Sequence, residues 1–317
     1  MRWRATCAPR PAGTHSRTAP VDEESFIAAL RTLPLHPGAR DLRDDAARLR
    51  GLVLTSDMIA EGVHFLPTDP PGDVAWKLVA TNLSDLAAKG AAPVGMMLGY
   101  PLSDDGWDRA FLRGLRDAAE RWGCPLLGGD TVRLPAGAAR LLSLTAIGHA
   151  ARSPARSGAR AGDALWVTGT IGDAGAGLAI AQGAPGPDAL LARYRRPVPR
   201  LGEGRVLGPV VHAMMDVSDG LLIDATRMAA ASGLAVTLDL AALPLSPELR
   251  AHAGEDRAAR LAAASAGDDY ELLFALSEGE APPVAATCIG RFADGKGIAL
   301  CDGDGDVAVP DRLGFVH

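Results

Sequence analysis

The chain has 317 residues, 48% hydrophobic and 22% charged, and its 32 basic and 38 acidic side chains leave a net charge of −6. That length suggests about two domains, and that charge excludes a broad basic surface for nucleic acid. No run approaches roughly 18 consecutive apolar residues, so no membrane-spanning helix is expected.

Residues 1–21 carry Arg2, Arg4, Arg10 and Arg17 with no acid before Asp22, and read as a disordered basic tail. Ser25–Leu33 has Phe26, Ile27, Leu30 and Leu33 at helical spacing. Leu52–Leu54 reads as a strand ending in Thr55-Ser56-Asp57. Asp73 can cap a helix running to about Lys89, before Gly90. Val94–Leu98 reads as a strand and Trp107–Trp122 as a helix; Pro125-Leu126-Leu127 then leads into Gly128-Gly129-Asp130. Leu141–Gly148 is a strand closing the first half, and an arginine-rich connector follows from His149 to about Asp163.

The second half opens with a strand at Leu165–Thr168, the turn Gly169–Asp173 and a small-residue helix from Ala174. Met214–Asp216, a helix over Ser218–Ala231 and an alternating strand at Ala235–Leu240 come later. No short-period repeat and no regular βαβ spacing occur, which favours two α+β domains, residues 22–150 and 151–317. Cys7, Cys124, Cys288 and Cys301 form no C-x-x-C pair, as expected of a reducing compartment.

Familiar motifs fail in turn. No G-x-x-x-x-G-K-[ST] occurs, so a P-loop is excluded. Asp302, Asp304 and Asp306 have calcium-loop spacing, but Val307 and Leu313 stand where glycine and an acid are required. A polar hairpin near the C-terminus is the better reading. Asp216-Val217-Ser218-Asp219-Gly220 lacks the first glycine of a hydrolase elbow, and no H-E-x-x-H is present.

The carboxylates remain. Asp44-Asp45, Asp57, Asp130, Asp216 and Asp219 are expected at strand ends or tight turns beside Gly, Ser or Thr. A single loop acid is usually a solvated turn-former, but Asp57, Asp130 and Asp216 each follow an apolar run. Asp85 sits inside a helix with Thr81, Asn82 and Lys89 on its face; helix geometry alone favours a solvated Asp85–Lys89 ion pair. Converging acids repel and raise one another's pKa unless cations neutralise them. Oxygen-only ligands favour Mg²⁺, which is commonly shared with nucleotide phosphates and suits phosphoryl transfer. Backbone N–H groups at Ser218, Asp219 and Gly169–Gly172 are candidates for phosphate oxygens.

Asp44-Asp45-Ala46-Ala47, Thr55-Ser56-Asp57, Glu61-Gly62-Val63-His64-Phe65 and Asn82-Leu83-Ser84-Asp85-Leu86-Ala87-Ala88 occur in order along the chain. So do Gly128-Gly129-Asp130-Thr131, Arg156-Ser157-Gly158-Ala159, Val167-Thr168-Gly169-Thr170, Asp216–Gly220 and Gly267-Asp268-Asp269-Tyr270-Glu271-Leu272. This ordered set resembles the thiamine-monophosphate kinases, within the aminoimidazole ribonucleotide synthetase-like superfamily. The resemblance implies a two-domain α+β fold whose N-terminal domain pairs its sheet across a homodimer, in a cytoplasmic enzyme. It implies transfer of the ATP γ-phosphoryl group to thiamine monophosphate, with several Mg²⁺ ions and ATP as co-substrate.

Carried over, Asp45, Thr55, Ser56, Asp57, Asp85, Asp130, Asp216 and Asp219 would hold magnesium. Trp122, Gly129, Asp130, Arg156 and Ser218 would contact ATP, and His64, Asp268 and Phe315 the substrate. No general base is assigned, because the acceptor phosphate is already ionised near neutral pH. Arg43, Asp268 and Lys89 depart from the pattern, where glycine, glutamate and an apolar residue are usual. A catalytically silent nucleotide-binding protein and other enzymes of the superfamily are the alternatives. A selenophosphate synthetase should carry a reactive residue near an early lysine, yet no lysine precedes Lys77. The hydrogenase-maturation relative should end in cysteine, where this chain ends Val316-His317.

Overall fold

Residues 23–135 and 137–316 are described by the computed structural model; the basic tail expected over residues 1–21 lies outside the described residues. Residues 23–34 belong to a unit of their own. In it, helix α1 (Glu23–Leu30) stops short of the expected Leu33. Thr32 N–H and Leu33 N–H turn back to Ala29 and Leu30, the tightened bonding of a helix end.

Residues 35–316 build two sheets. The first comprises β1 (Ala47–Leu49), β2 (Leu52–Ala60), β3 (Ala92–Leu102), β4 (Leu126–Arg133) and β5 (Leu141–His149), in the order β1-β2-β5-β3-β4. Helices α2 (Pro71–Ala88) and α3 (Asp105–Trp122) lie between its strands in sequence. Leu78 and Leu83 of α2, Phe111 of α3, Met96 of β3 and Leu142 and Leu144 of β5 meet in one fully buried core. Each such side chain contributes roughly 2 kcal/mol by leaving water.

The second sheet comprises β6 (Ala164–Val167), β7 (Ala213–Asp216), β8 (Leu234–Asp239), β9 (Leu272–Leu276), β10 (Thr287–Asp294), β11 (Gly297–Asp302) and β12 (Gly305–Val307). Its order is β12-β11-β8-β10-β6-β9-β7. The helices of this half are α4 (Asp173–Ala181), α5 (Asp188–Arg195), α6 (Leu201–Leu207), α7 (Leu221–Ser232), α8 (Pro247–Ala253) and α9 (Arg257–Ser265). Leu221, Leu222, Ala225 and Met228 of α7 pack with Leu165, Leu273, Ile289 and Phe292 of the sheet. β11 and β12 form the polar hairpin expected near the C-terminus. A third cluster joins Ala87 and Ala88 of α2 to Leu207, Met214, Leu272 and Phe274, so α2 is shared by both halves.

Both sheets pair mainly antiparallel, with β3–β4 and β11–β8 as parallel exceptions; this is the mixed α+β organisation expected. Several boundaries differ from the local reading. β2 runs through Thr55-Ser56-Asp57, where Asp57 lies opposite Leu144 of β5. β4 runs through Gly128-Gly129-Asp130, where Asp130 lies opposite Gly99. Neither aspartate ends a strand, because the partner strand's hydrogen bonds outweigh local turn preference. Asp73 does not cap α2; Pro70 holds that position, and Asp73, in the first turn, pairs with Arg196 at 2.5 Å. α7 starts at Leu221, with Ser218 and Asp219 in the turn before it.

Among the described residues, β4 is hydrogen-bonded to β3 only, and all its residues are exposed. Met58, Val94, Met97, Leu127 and Val132 of this sheet are also exposed. α2 and α3 approach closely at Gly72 and Gly114, where a Cβ on Gly114 would overlap the Gly72 backbone. Gly114→Ala is therefore expected to destabilise the fold by about 2 kcal/mol through overpacking, measurable as a lowered urea midpoint. Unchanged stability would show that the two helices can separate freely. Among the described residues, no helix is long and apolar enough to cross a membrane.

Candidate active site

The site grows out of α2, a helix so enclosed that its polar Lys77, Thr81, Asn82 and Ser84 are buried. Asn82 Nδ2 donates to Leu78 O at 3.0 Å, and its Oδ1 accepts from Asp57 N–H at 3.1 Å. That second bond ties β2 to the helix and brings Asp57 within electrostatic reach of Asp85. The Thr55 hydroxyl donates to Asp85. The Ser84 hydroxyl donates to Asp216 Oδ2 at 2.5 Å, joining the end of β7 to α2.

Lys89, which caps the C-terminus of α2, is fully buried. Its ammonium meets Asp44 Oδ1 at 2.5 Å and Asp45 Oδ2 at 2.6 Å, and Arg156 also pairs with Asp45. The solvated Asp85–Lys89 ion pair is therefore not formed. Helical spacing permits it, but Lys89 has left the last turn and faces the loop before β1.

Cation supply divides the acids. Burial alone would raise the Asp45 carboxyl, yet Lys89 and Arg156 pull it well below the usual range. Asp57 is pushed up to about 6 by burial, then by Asp45 and Asp219. Asp216 reaches about 7 through burial and Asp45, despite its bond from Ser84. Asp85 is held well above the carboxylate range by burial, then by Asp57, Asp216 and Asp45. Both Asp57 and Asp85 keep part of their surface in contact with solvent.

Among the described residues, no three His, Cys, Asp or Glu side chains already form a metal cage. In these rotamers the carboxylates turn to Lys89, Arg156, Thr55 and Ser84 instead. The donor chemistry nonetheless fits Mg²⁺: oxygen ligands only, with three acids whose ionisation lacks a cation.

Four of the backbone donors proposed for phosphate are already engaged. Ser218 N–H and Asp219 N–H both donate to Asp224 Oδ2, at 3.0 and 3.1 Å. Gly172 N–H donates to both oxygens of Asp269, and Ile171 N–H to Pro244 O. These turns are braced from within the chain.

The remaining site candidates fall in several places. Ser56 lies on the opposite sheet face from Thr55 and Asp57, its hydroxyl 3.0 Å from that of Thr145. Gly129 and Asp130 lie on the exposed strand β4. Trp122 packs on Trp76 with ring centroids 4.5 Å apart. Asp219 pairs with Arg227 at 2.5 Å, and Phe315 N–H donates to the Asp219 carbonyl at 2.8 Å. His64 and Asp268 meet at Lys77, whose Nζ donates to His64 O at 3.0 Å and Asp268 Oδ2 at 2.6 Å. The Tyr270 hydroxyl donates to Asp268 Oδ1 at 2.9 Å. Burial, then Asp268, with Asp57 and Asp216 also near, holds that phenol well above its ordinary range. A small solvent-open cleft adjoins Asp268, lined also by Thr170, Asp173, Arg193, Asp269 and Glu271.

Sequence reasoning missed Lys77, Asp224 and Asp269. Asp224 had a usable signal: it is three residues after Leu221 and four before Met228, on the apolar face of α7. Burial pushes its carboxyl up to about 6 even though Arg227 opposes the shift.

Known proteins match this chain along most of its length. Residues 43–150 match the family model of the AIR synthase related protein N-terminal domain, and residues 160–304 that of the C-terminal domain. A thiamine-monophosphate kinase of Caulobacter vibrioides is 41% identical, covering 94% of this chain and 92% of that protein. One from Escherichia coli strain K12 is 38% identical, covering 86% and 90%. The solved structure of AaThiL complexed with AMPPCP and TMP superposes with a TM-score of 0.81 at 30% identity, covering 94% of this chain and 99% of that one. With the ordered acids on α2, β2 and β7, these likenesses show that the chain belongs to the thiamine-monophosphate kinase family.

Proposed function

We propose that this chain transfers the ATP γ-phosphoryl group to thiamine monophosphate, giving thiamine diphosphate and ADP, in a Mg²⁺-dependent in-line reaction. The observation that carries this reading is the convergence of Asp45, Asp57, Asp85 and Asp216 from both halves of the chain, with a surplus of negative charge. AaThiL, complexed with an ATP analogue and TMP, supports the choice of substrates. Asp45, Asp57, Asp85 and Asp216, with Asp219 and Thr55, are the residues that would hold Mg²⁺. Bound there, the ion supplies neutralisation of charge on the triphosphate.

The chain's own part is positioning. α2 anchors Asp85 and, through Asn82, Asp57; Ser84 orients Asp216. On the acceptor side, Lys77 ties His64 to Asp268 and places a cation beside the cleft. The acceptor phosphate is already ionised, so binding and alignment supply the catalysis without a general base. We also propose that a second copy of the chain covers β4, bringing Gly129 and Asp130 out of solvent; its exposed edge and apolar neighbours support this.

Incubation of the purified protein with ATP, Mg²⁺ and thiamine monophosphate is expected to yield thiamine diphosphate and ADP in equal amounts by chromatography, and none in excess EDTA. Nucleotide binding without thiamine diphosphate would sink the kinase reading and favour the silent nucleotide-binding protein.

A further inference from the structure

The Lys89 ammonium lies 2.5 Å from Asp44 Oδ1 and 2.6 Å from Asp45 Oδ2, as ion pairs, and donates a hydrogen bond to the Met214 carbonyl at 3.2 Å. Arg40 takes the second oxygen of Asp44, and Arg156 that of Asp45. These two carboxylates are thus met by three cations of the protein itself. By contrast, among the described residues no ion pair reaches Asp57, Asp85 or Asp216. Asp85 and Asp216 receive hydroxyl groups only. Burying an ammonium costs several kcal/mol unless it is fully paired, so Lys89 is held where it is by Asp44 and Asp45.

We propose that Lys89 is a positioning residue that acts as a built-in monovalent counter-ion of the site. It fixes Asp44 and Asp45 in place without metal and lowers the charge that the cluster offers to a divalent ion. This rests on the magnesium reading above. The ammonium and Mg²⁺ then oppose each other for the same negative charge. Removing Lys89 must tighten Mg²⁺ binding while weakening the metal-free protein, whereas a side chain that merely fills space would not touch Mg²⁺ affinity.

The test compares the full-length protein with Lys89→Met, which keeps length without charge, and Lys89→Arg, which keeps charge. Mg²⁺ alone, without nucleotide, is titrated by calorimetry, and melting temperature is recorded in EDTA and in Mg²⁺. Lys89→Met is expected to bind Mg²⁺ about tenfold more tightly, to melt lower in EDTA, and to recover most of that loss in Mg²⁺. Lys89→Arg is expected to keep the original Kd. Equal or weaker Mg²⁺ binding by Lys89→Met, or a loss of melting temperature that Mg²⁺ leaves untouched, overturns the proposal alone. Absence of Mg²⁺ binding by the unchanged protein overturns the magnesium reading and this proposal with it. Should Lys89→Met fail to fold, the double variant Asp44→Asn/Lys89→Met, which deletes one charge of each sign, is expected to fold in EDTA. Its failure to do so overturns the counter-ion role.

Discussion

Asp57→Asn is expected to lower kcat for thiamine diphosphate formation about 1000-fold, the scale of losing one preorganised electrostatic contact or more, while raising the melting temperature of the metal-free protein. The two effects have one cause. Without metal, Asp57 sits among Asp45, Asp85, Asp216 and Asp219, and an uncharged amide of the same shape relieves that repulsion. With metal and nucleotide present, the same amide withholds a charge that the reaction needs.

The pH dependence follows with a definite sign. Asp57 and Asp216 titrate near 6 and 7 in the folded protein, above their ordinary value of 3.8. The folded state therefore binds more protons than the unfolded state between those values. Their stabilising contribution is complete below about pH 4 and is lost as pH rises through 6 to 7. Scanning calorimetry in EDTA is expected to show melting temperature falling across this window, with a shallower fall in Asp57→Asn. Saturating Mg²⁺, by offsetting the repulsion, should flatten the slope in the unchanged protein. Turnover by Asp57→Asn at the original rate would remove Asp57 from the metal site.

Arg200→Ala is expected to cost about 3–5 kcal/mol of stability, because it strands a buried carboxylate. Glu271 is 4% exposed. It accepts from Arg200 Nε at 2.6 Å and Nη2 at 2.5 Å, and from the Thr168 hydroxyl at 2.6 Å. Thr168 in turn accepts from Leu272 N–H, so the pair locks β6 to the start of β9 beside the cleft. Equilibrium urea unfolding measures the loss. The double variant Arg200→Ala/Glu271→Gln should recover part of it, since no stranded charge remains. A single variant as stable as the parent would show that water solvates Glu271 in place of the guanidinium.

Burial leaves its period in the sequence, and where burial decides the structure the elements were legible. The alternation of β5 and β8 and the apolar face of α3 lay close to their expected places. β2 and β4 were longer than expected because their extra length is decided by β5 and β3, strands whose alignment no local window contains. The same distinction governs the site. The acids of Asp57, Asp85 and Asp216 were visible as residues in unusual settings. Their convergence was not, since Ser84 and Asp216 lie 132 positions apart. Lys89 shows the limit of helix spacing as a guide: its neighbour four residues back is Asp85, yet its charge is met by Asp44 and Asp45. Ser218 and Asp219 were expected at the start of a helix but lie in the turn before it, where Asp224, five residues beyond Asp219, claims their N–H groups.

The bond from Ser84 to Asp216 also sets a timetable for synthesis. A ribosome adding roughly 5–20 residues per second needs on the order of ten seconds to pass from one to the other. For that interval the nascent chain already holds Asp45, Asp57, Asp85 and Lys89, but not Met214, which accepts from Lys89, nor Asp216, which accepts from Ser84. The first sheet can begin to pack while its most crowded helix still lacks the strand that completes it. The last acid arrives on a segment that must dock against α2, so the cluster is assembled by the joining of the two halves and belongs to neither alone.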